Sequence, residues 1–256
     1  MIKVIFFDVD GTLLSHSQKA IPESAKRALK KLRDSGVKLV VATGRCLKEL
    51  EKLPVMDVEF DGYLTLNGVL CLDEKKEKFY GDGIEGSSRE SVTKMFRQKE
   101  FPVLFIEEDR MYINHVTEDV RKAQKDISSD IPEVGVMSDR TIYQAVVYVT
   151  EKDEQIVKNY VPECMVTRWN KAGVDIVSKT GGKVAGIQKY LEKYGIFREE
   201  TMAFGDGEND IEMLKFVQIG VAMENAEPEV KASADYVTAH IDEDGIEKAL
   251  HHFGMI

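Results

Sequence analysis

Three cysteines among 256 residues, Cys46, Cys71 and Cys164, are too few and too scattered to build a framework. They form no Cys-x-x-Cys pair, so a disulfide scaffold and a structural zinc site are both poorly supported. Reduced thiols in a cytoplasmic protein are the expectation. Long apolar runs are missing too. No stretch reaches the roughly 18 residues of a membrane span, and the apolar start up to Phe7 is too short for a signal peptide and gives way at once to acids. The five histidines, His16, His115, His240, His251 and His252, form no metal set. Positive charge is in deficit: 35 Lys and Arg face 45 Asp and Glu, for a net charge of -10. Such a chain repels nucleic acid and anionic membrane. An anionic substrate would therefore have to be drawn in by a local cluster or a metal.

What is present suits a globular protein. Hydrophobic residues are 43% and charged residues 31%, enough for a sizeable core. At roughly 100–200 residues per domain, the length allows one large domain or two unequal ones. Val4 to Phe7 is a short β-branched and aromatic run, the mark of a strand buried on both faces. It ends in Asp8-Val9-Asp10-Gly11-Thr12. Ala25, Ala28, Leu29 and Leu32 then recur at helical spacing between Pro22 and Gly36. Val37 to Ala42 reads as a second strand, followed by Thr43-Gly44-Arg45 and a helix running up to Pro54. Tyr63 to Leu66 reads as a third strand. Near the other end the alternation returns: a helical face at Val184, Ile187, Leu191 and Tyr194, strands at Met202 to Phe204, Ile219 to Ala222 and Tyr236-Val237, and helices between and after them. Strands alternating with helices predict a parallel sheet with helices on both faces. Ligands of such sheets bind beyond the carboxyl ends of the strands, where the charged, glycine-bearing motifs lie.

The middle reads differently. Strand-like stretches at Val103 to Glu107 and Thr141 to Val149 alternate with helix-like segments at Ser87 to Lys99 and Thr117 to Ser128. Glycines cluster at both joints, at Gly81, Gly83 and Gly86 and at Gly181 and Gly182. The expected organisation is an α/β core of residues 1–81 and 183–256 with an α+β insert of residues 82–182. Polar residues of the insert, Glu107, Asp109, Arg110, Arg168, Trp169 and Asn170, are candidates to face a substrate, though Trp169 equally suits core packing.

Four motifs carry chemistry. Asp8 and Asp10 stand two apart, so a strand would point both carboxylates to one face. Two acids held together at a sheet's edge ask for a cation, and oxygen donors without nearby His or Cys favour Mg²⁺ over zinc. The pattern alone also fits a solvated acidic turn or a metal-dependent glycosyltransferase. Thr43-Gly44-Arg45 offers a hydroxyl and backbone N–H groups at a helix start, suited either to a phosphate or to a simple N-cap. Lys183, after Gly181-Gly182, opens an amphipathic helix, where it is either a point charge for an anion or a surface lysine. Gly205-Asp206-Gly207-Glu208-Asn209-Asp210 again suggests a hard-cation site after a strand; an EF-hand is ruled out because the distal Glu is absent.

Taken together, in this order, the motifs resemble the haloacid dehalogenase-like hydrolase superfamily, and within it the Cof-type phosphatases, whose large cap is inserted between the second and third motifs. The resemblance continues through Gly220-Val221-Ala222-Met223-Glu224-Asn225-Ala226, where Glu224 replaces the family's usual glycine; the lysine here follows Gly-Gly rather than the commoner serine. The resemblance implies a Rossmann-like core, an inserted α+β cap that closes over the site, and a set of roles. Asp8 would be the nucleophile and Asp10 the general acid and base. Thr43, with Gly44 and Arg45 beside it, would bind the phosphoryl group together with Lys183 and Asn209. Asp8, Asp10 (through its backbone carbonyl), Asp206 and Asp210 would form the Mg²⁺ site. The implied activity is Mg²⁺-dependent hydrolysis of a small phosphate ester through an aspartyl-phosphate, in the cytoplasm, with no nucleic acid, membrane or obligate protein partner. A phosphomutase using the same intermediate and a phospho-acceptor signalling module are the alternatives. As a general acid Asp10 has a difficulty, because an Asp with an ordinary pKa near ~3.9 is protonated only about once in 10³ at pH 7. The substrate phosphate and Asp8 are expected to raise it.

Overall fold

A computed structural model describes residues 1–127 and 129–256, with the side chain of Asn170 also outside the described set. The chain divides into two compact units, Met1–Tyr80 with Lys183–Ile256, and Gly81–Gly182.

The first unit begins with β1 (Val4–Phe7), every residue of which is fully buried. An unbroken apolar strand is what a central position in a covered sheet demands. Next come α1 (Glu23–Asp34), β2 (Lys38–Ala42), the short α2 (Leu47–Leu50) and β3 (Gly62–Thr65). In α1, Ala25, Ala28, Leu29 and Leu32 form the buried face, Glu23 lies in the first turn, and Lys31 and Arg33 lie in the last, each matching the sign of the helix dipole there. A hairpin of β4 (Leu70–Asp73) and β5 (Lys78–Gly81) follows. The helix expected up to Pro54 is a correction: α2 is a single turn, and Pro54–Asp57 forms a separate 3₁₀ turn. Pro54 disfavours helical geometry at Leu53, whose backbone is extended.

The second unit holds α3 (Gly86–Gln98), β6 (Val103–Ile106), β7 (Met111–Ile113), α4 (Glu118–Asp126), β8 (Gln144–Val147), α5 (Glu151–Tyr160), β9 (Cys164–Asn170) and β10 (Gly173–Ser178). Its strands form one antiparallel sheet in the order β7-β6-β8-β10-β9. Val103, Phe105, Ala145, Val147, Val174 and Ile176 share a core with Val92, Met95 and Phe96 of α3 and Val157 of α5. This is an α+β domain inserted in the chain. Thr117 caps α4 by accepting from the Val120 N–H, and the expected end of that helix at Ser128 lies outside the described residues. Of the polar residues singled out in the insert, Glu107 is buried and accepts from the Tyr112 and Ser138 hydroxyls. Arg168 is paired with Glu154 and Asp109 with Arg140. Trp169 is only half-buried and meets Tyr148 edge to face, passing over Gly173, where a Cβ would strike its ring at 2.6 Å.

The chain then returns to the first unit with α6 (Lys183–Tyr194), β11 (Thr201–Gly205), α7 (Ile211–Phe216), β12 (Ile219–Ala222), α8 (Pro228–Ala232), β13 (Tyr236–Val237) and α9 (Gly245–His252). The eight strands of this sheet run β13-β12-β11-β1-β2-β3-β4-β5, parallel from β13 to β3, with β4 antiparallel to β3. Val4, Phe6, Val40, Ala42 and Leu64 pack with Ile187 and Tyr190 of α6 and Met213 and Leu214 of α7. The pleat sends Ile5, Phe7, Leu39 and Val41 to the other face, where α1 contacts β2 and packs on α9. Consecutive strands add to the right of β1 and the returning segment to its left, so the order reverses there. In open α/β sheets, that reversal is where a crevice opens beyond the carboxyl ends.

Candidate active site

Asp8 is the first residue beyond β1, buried, with its N–H donating to the Phe204 carbonyl at 3.0 Å. The chain then turns tightly, because the Val9 carbonyl accepts from the N–H groups of Thr12, Leu13 and Leu14. Gly11 sits in the turn at φ +84°, and a Cβ there would meet Asp206 Oδ2 at 2.1 Å. Only glycine lets the two segments come this close.

Asp206 follows β11, and its Oδ1 accepts from the Thr12 hydroxyl at 2.7 Å. Asp210, fully buried, receives the N–H groups of Asp206 and Gly207 on Oδ2 at 3.0 and 2.9 Å. Gly205 has no room for a side chain against Asp210, since a Cβ would come within 2.6 Å of it. Lys183 opens α6 and is buried rather than exposed. Its Nζ donates to Asp8 Oδ1 and Asp210 Oδ1, both at 2.6 Å. The helix can bring it there because Gly186 packs directly on Gly68, where a Cβ would lie 2.8 Å from the carbonyl oxygen. Asp8, Asp206 and Asp210 each offer a carboxylate oxygen within 4.8 Å of the others.

Asp10 stands apart from that trio. Its carboxylate is held in a fork by Arg45, Nε to Oδ2 at 2.5 Å and Nη2 to Oδ1 at 2.8 Å. Thr43 follows β2, buried, and its hydroxyl accepts the Arg45 N–H at 3.1 Å. Gly44 forms the bend between them. Asn209 donates to Asn67 Oδ1 at 3.0 Å. Three site residues escaped the sequence reading of roles: Thr12, Asn67 and Asn225. Asn67 lies in a run of left-handed residues, with φ of 53° at Leu66, 57° at Asn67 and 83° at Gly68. Such a run is costly for non-glycine residues. It is over-determined by Leu66 N–H to Arg45 O and Asn67 N–H to Thr43 O. The Asn-Gly pair beyond a strand was the available signal. Thr12 and Asn225 lie inside the Asp8–Thr12 and Gly220–Ala226 motifs, but their partners are 194 and 214 positions away, beyond any local pattern.

In this cluster, of which Asp8 and Asp210 are buried and Asp206 half-buried, three carboxylates against one ammonium leave two negative charges uncompensated. The acids register this. Burial pushes the Asp8 carboxyl well above the ordinary range, opposed by Lys183 and reinforced by Asp210 and Asp206. Burial, with Asp210 beside it, pushes Asp206 from 3.8 to about 7, against the Thr12 hydrogen bond. An all-oxygen donor set with surplus negative charge fits a hard divalent cation.

The sign of the pH effect follows. Asp206 titrates near 3.8 when unfolded and about 7 when folded, so over that interval the folded state holds the extra proton and stability falls as pH rises. Without metal, the wild type should lose on the order of 1–3 kcal/mol across this window, at about 2–4 °C in Tm per kcal/mol. Asp206→Asn should flatten the loss and melt higher than wild type at neutral pH. Melting curves in chelator at several pH values check it; a wild type that gains stability through the same window would contradict the assignment.

A parallel α/β sheet that gathers three acids and one lysine beyond its carboxyl edge, with an α+β domain inserted in the chain, is the class of architecture suited to a hard cation and an anionic ligand. The chain belongs to the haloacid dehalogenase-like hydrolases: the profile of that family matches residues 5–250. It is similar to YkrA of Bacillus subtilis (strain 168), named provisionally as a phosphatase, at 31% identity over 99% of this chain and 98% of that one. Among solved structures it is similar to the subclass IIB sugar phosphatase BT4131, at 38% identity and a TM-score of 0.90 over 99% of this chain and 100% of the other. It is also similar to the phosphatase BT1666 from Bacteroides thetaiotaomicron, at 34% identity and a TM-score of 0.91 over 100% and 96%. The protein is thus a phosphatase of this family. Among the described residues no helix is long and apolar enough to cross a membrane.

Proposed function

We propose that the chain is a Mg²⁺-dependent phosphatase acting on a small phosphomonoester, a sugar phosphate or similar metabolite, through an aspartyl-phosphate on Asp8. Residues 1–81 and 183–256 would form its catalytic domain and residues 82–182 its cap. The observation that carries the reading is the convergence of Asp8, Asp206 and Asp210 around one buried lysine. Similarity to a sugar phosphatase supports the substrate class. Free thiols at Cys46, Cys71 and Cys164 fit a reducing compartment such as the cytoplasm.

Phosphate-monoester hydrolysis is slow enough that enzymes accelerate it by up to ~10²¹, roughly 28 kcal/mol. A covalent intermediate divides that barrier. In the first half, an Asp8 oxygen bonds phosphorus as the ester P–O bond breaks, and Asp10 gives its proton to the departing alcohol oxygen. In the second, water attacks phosphorus, Asp10 takes the water's proton, and the P–O bond to Asp8 breaks, restoring the carboxylate and freeing phosphate. The side chains of Asp8, Asp206 and Asp210, with the Asp10 carbonyl, would hold Mg²⁺. Bound there, the ion supplies Lewis-acid polarisation and neutralises phosphoryl charge. Lys183 offsets charge on Asp8, while the Thr43 hydroxyl and Asn209 amide offer hydrogen bonds to phosphoryl oxygens. Arg45 has a double duty. Its guanidinium fork suits a phosphoryl group as well as a carboxylate, so an arriving substrate would compete it away from Asp10 and free that side chain to carry a proton.

A panel of phosphorylated metabolites, assayed with Mg²⁺ and after chelation, tests the proposal. Expected are release of inorganic phosphate and a loss of at least about 100-fold on removing the metal. Turnover that ignores chelation would refute it, and an isomeric phosphate as product would make the enzyme a mutase.

A further inference from the structure

The nucleophile turn and the Gly205–Asp210 turn come from opposite ends of the chain, and one side chain ties them together. The Asn225 amide nitrogen donates to the Gly11 carbonyl at 2.9 Å and to Asp206 Oδ2 at 3.3 Å. Its oxygen accepts the Ile241 N–H at 3.1 Å. That backbone donor fixes the orientation of the amide, because only the oxygen can face an N–H. Thr12 already holds Asp206 Oδ1, so the two oxygens of this acid are gripped from two sides, one by the nucleophile turn and one by Asn225. A neutral donor is needed at this position, since another carboxylate would add charge to a cluster already carrying a surplus.

We infer that Asn225 is a positioning residue for the metal site: it sets the rotamer of Asp206 and its distance from the Gly11 turn, and thereby the geometry in which Asp206 and Asp8 meet a cation. The inference rests on the Mg²⁺ reading above. Partners that orient a ligand from outside the coordination sphere typically change metal affinity or activity about 10–100-fold when removed. The neighbouring segment adds a clamp of the same kind. Asp242, next to Ile241, accepts from the Ser15 and Ser17 hydroxyls, both at 2.6 Å, and from the Gln18 amide at 2.9 Å. The segments after β12 and β13 therefore grip the Asp8–Gln18 segment at two places, and Asn225 is the one that also reaches the acid cluster.

The test is calorimetric titration of Mg²⁺ into the full chain, beside steady-state hydrolysis of p-nitrophenyl phosphate. Asn225→Ala should weaken Mg²⁺ binding about tenfold or more. Unchanged Mg²⁺ affinity in that variant would overturn the inference, whatever its melting temperature. Should Asn225→Ala fail to fold, Asn225→Asp keeps the shape and the acceptor for Ile241 but replaces the donor with a further negative charge beside Asp206. It should lower kcat at saturating Mg²⁺ about tenfold while KM stays within about twofold. A wild-type kcat in that variant would equally overturn it. Wild-type protein that binds no Mg²⁺ would instead remove the reading beneath the inference, so the two failures are distinguishable.

Discussion

Asp8→Asn is expected to lower kcat for phosphomonoester hydrolysis on the order of 10⁴–10⁶-fold while leaving the protein folded. The amide cannot attack phosphorus, and none of the groups around it is placed to replace it: Asp10 is forked by Arg45, and Asp210 receives Lys183 and two backbone N–H groups. Folding should survive, because burial already disfavours the ionised form of Asp8. A neutral amide of the same shape removes that cost. Lys183 keeps its second partner, Asp210. Rapid acid quenching of wild type with substrate should trap a phosphoryl mass increment on the peptide containing Asp8, absent from the variant. A variant that retains wild-type turnover would end the covalent mechanism.

The second large effect is on stability. Lys183→Met should destabilise the metal-free protein by about 3–5 kcal/mol, the usual cost of removing one member of a buried ion pair. Two buried carboxylates, Asp8 and Asp210, would lose their shared cation in a pocket where the lysine itself is 3% exposed. The folded environment raises the lysine's pKa despite burial, through Asp210 and Asp8. Its contribution is accordingly complete at neutral pH and lost only as pH climbs past the ordinary lysine range. Activity should fall at least about 10²–10³-fold, in line with removal of a preorganised charge at a developing anion. Urea unfolding of variant and wild type in chelator measures the first effect; a midpoint unchanged from wild type would show that the pair contributes nothing net.

The core strands and their motifs were legible because they obey simple local rules. Val4 to Phe7 is apolar at every position, and its burial leaves no other solution than a covered central strand. Lys183 illustrates the limit. Its own surroundings suggest a surface residue, and only the order of motifs along the chain pointed inward. The structure buries it because Gly186 lets α6 settle on Gly68, a contact between residues more than a hundred positions apart that no local pattern encodes. Other elements were missed for the opposite reason. In α5 the sequence Glu-Lys-Asp-Glu-Gln-Ile-Val-Lys-Asn-Tyr buries only Val157, too little periodicity to announce a helix. The β4–β5 hairpin is short and begins beside the left-handed bend at Leu66–Gly68, where strand and turn signals overlap. The grip of Asn225 on Gly11 spans 214 positions, and the sequence offers the amide without its target.

The placement of β1 has a consequence for how the molecule comes to exist. Its neighbours are β2, close behind it, and β11, which begins at Thr201. During synthesis from the N-terminus, β1 therefore waits with one side unpaired until most of the polypeptide has emerged, and an unpaired strand edge is a template for wrong partners. A chain halted before Thr201 would hold Asp8 without Asp206 and Asp210, and on the proposed mechanism would be inert toward phosphate esters while carrying an open, adhesive edge. Completion of the sheet and birth of the chemistry are then one event, late and dependent on the last fifth of the polypeptide.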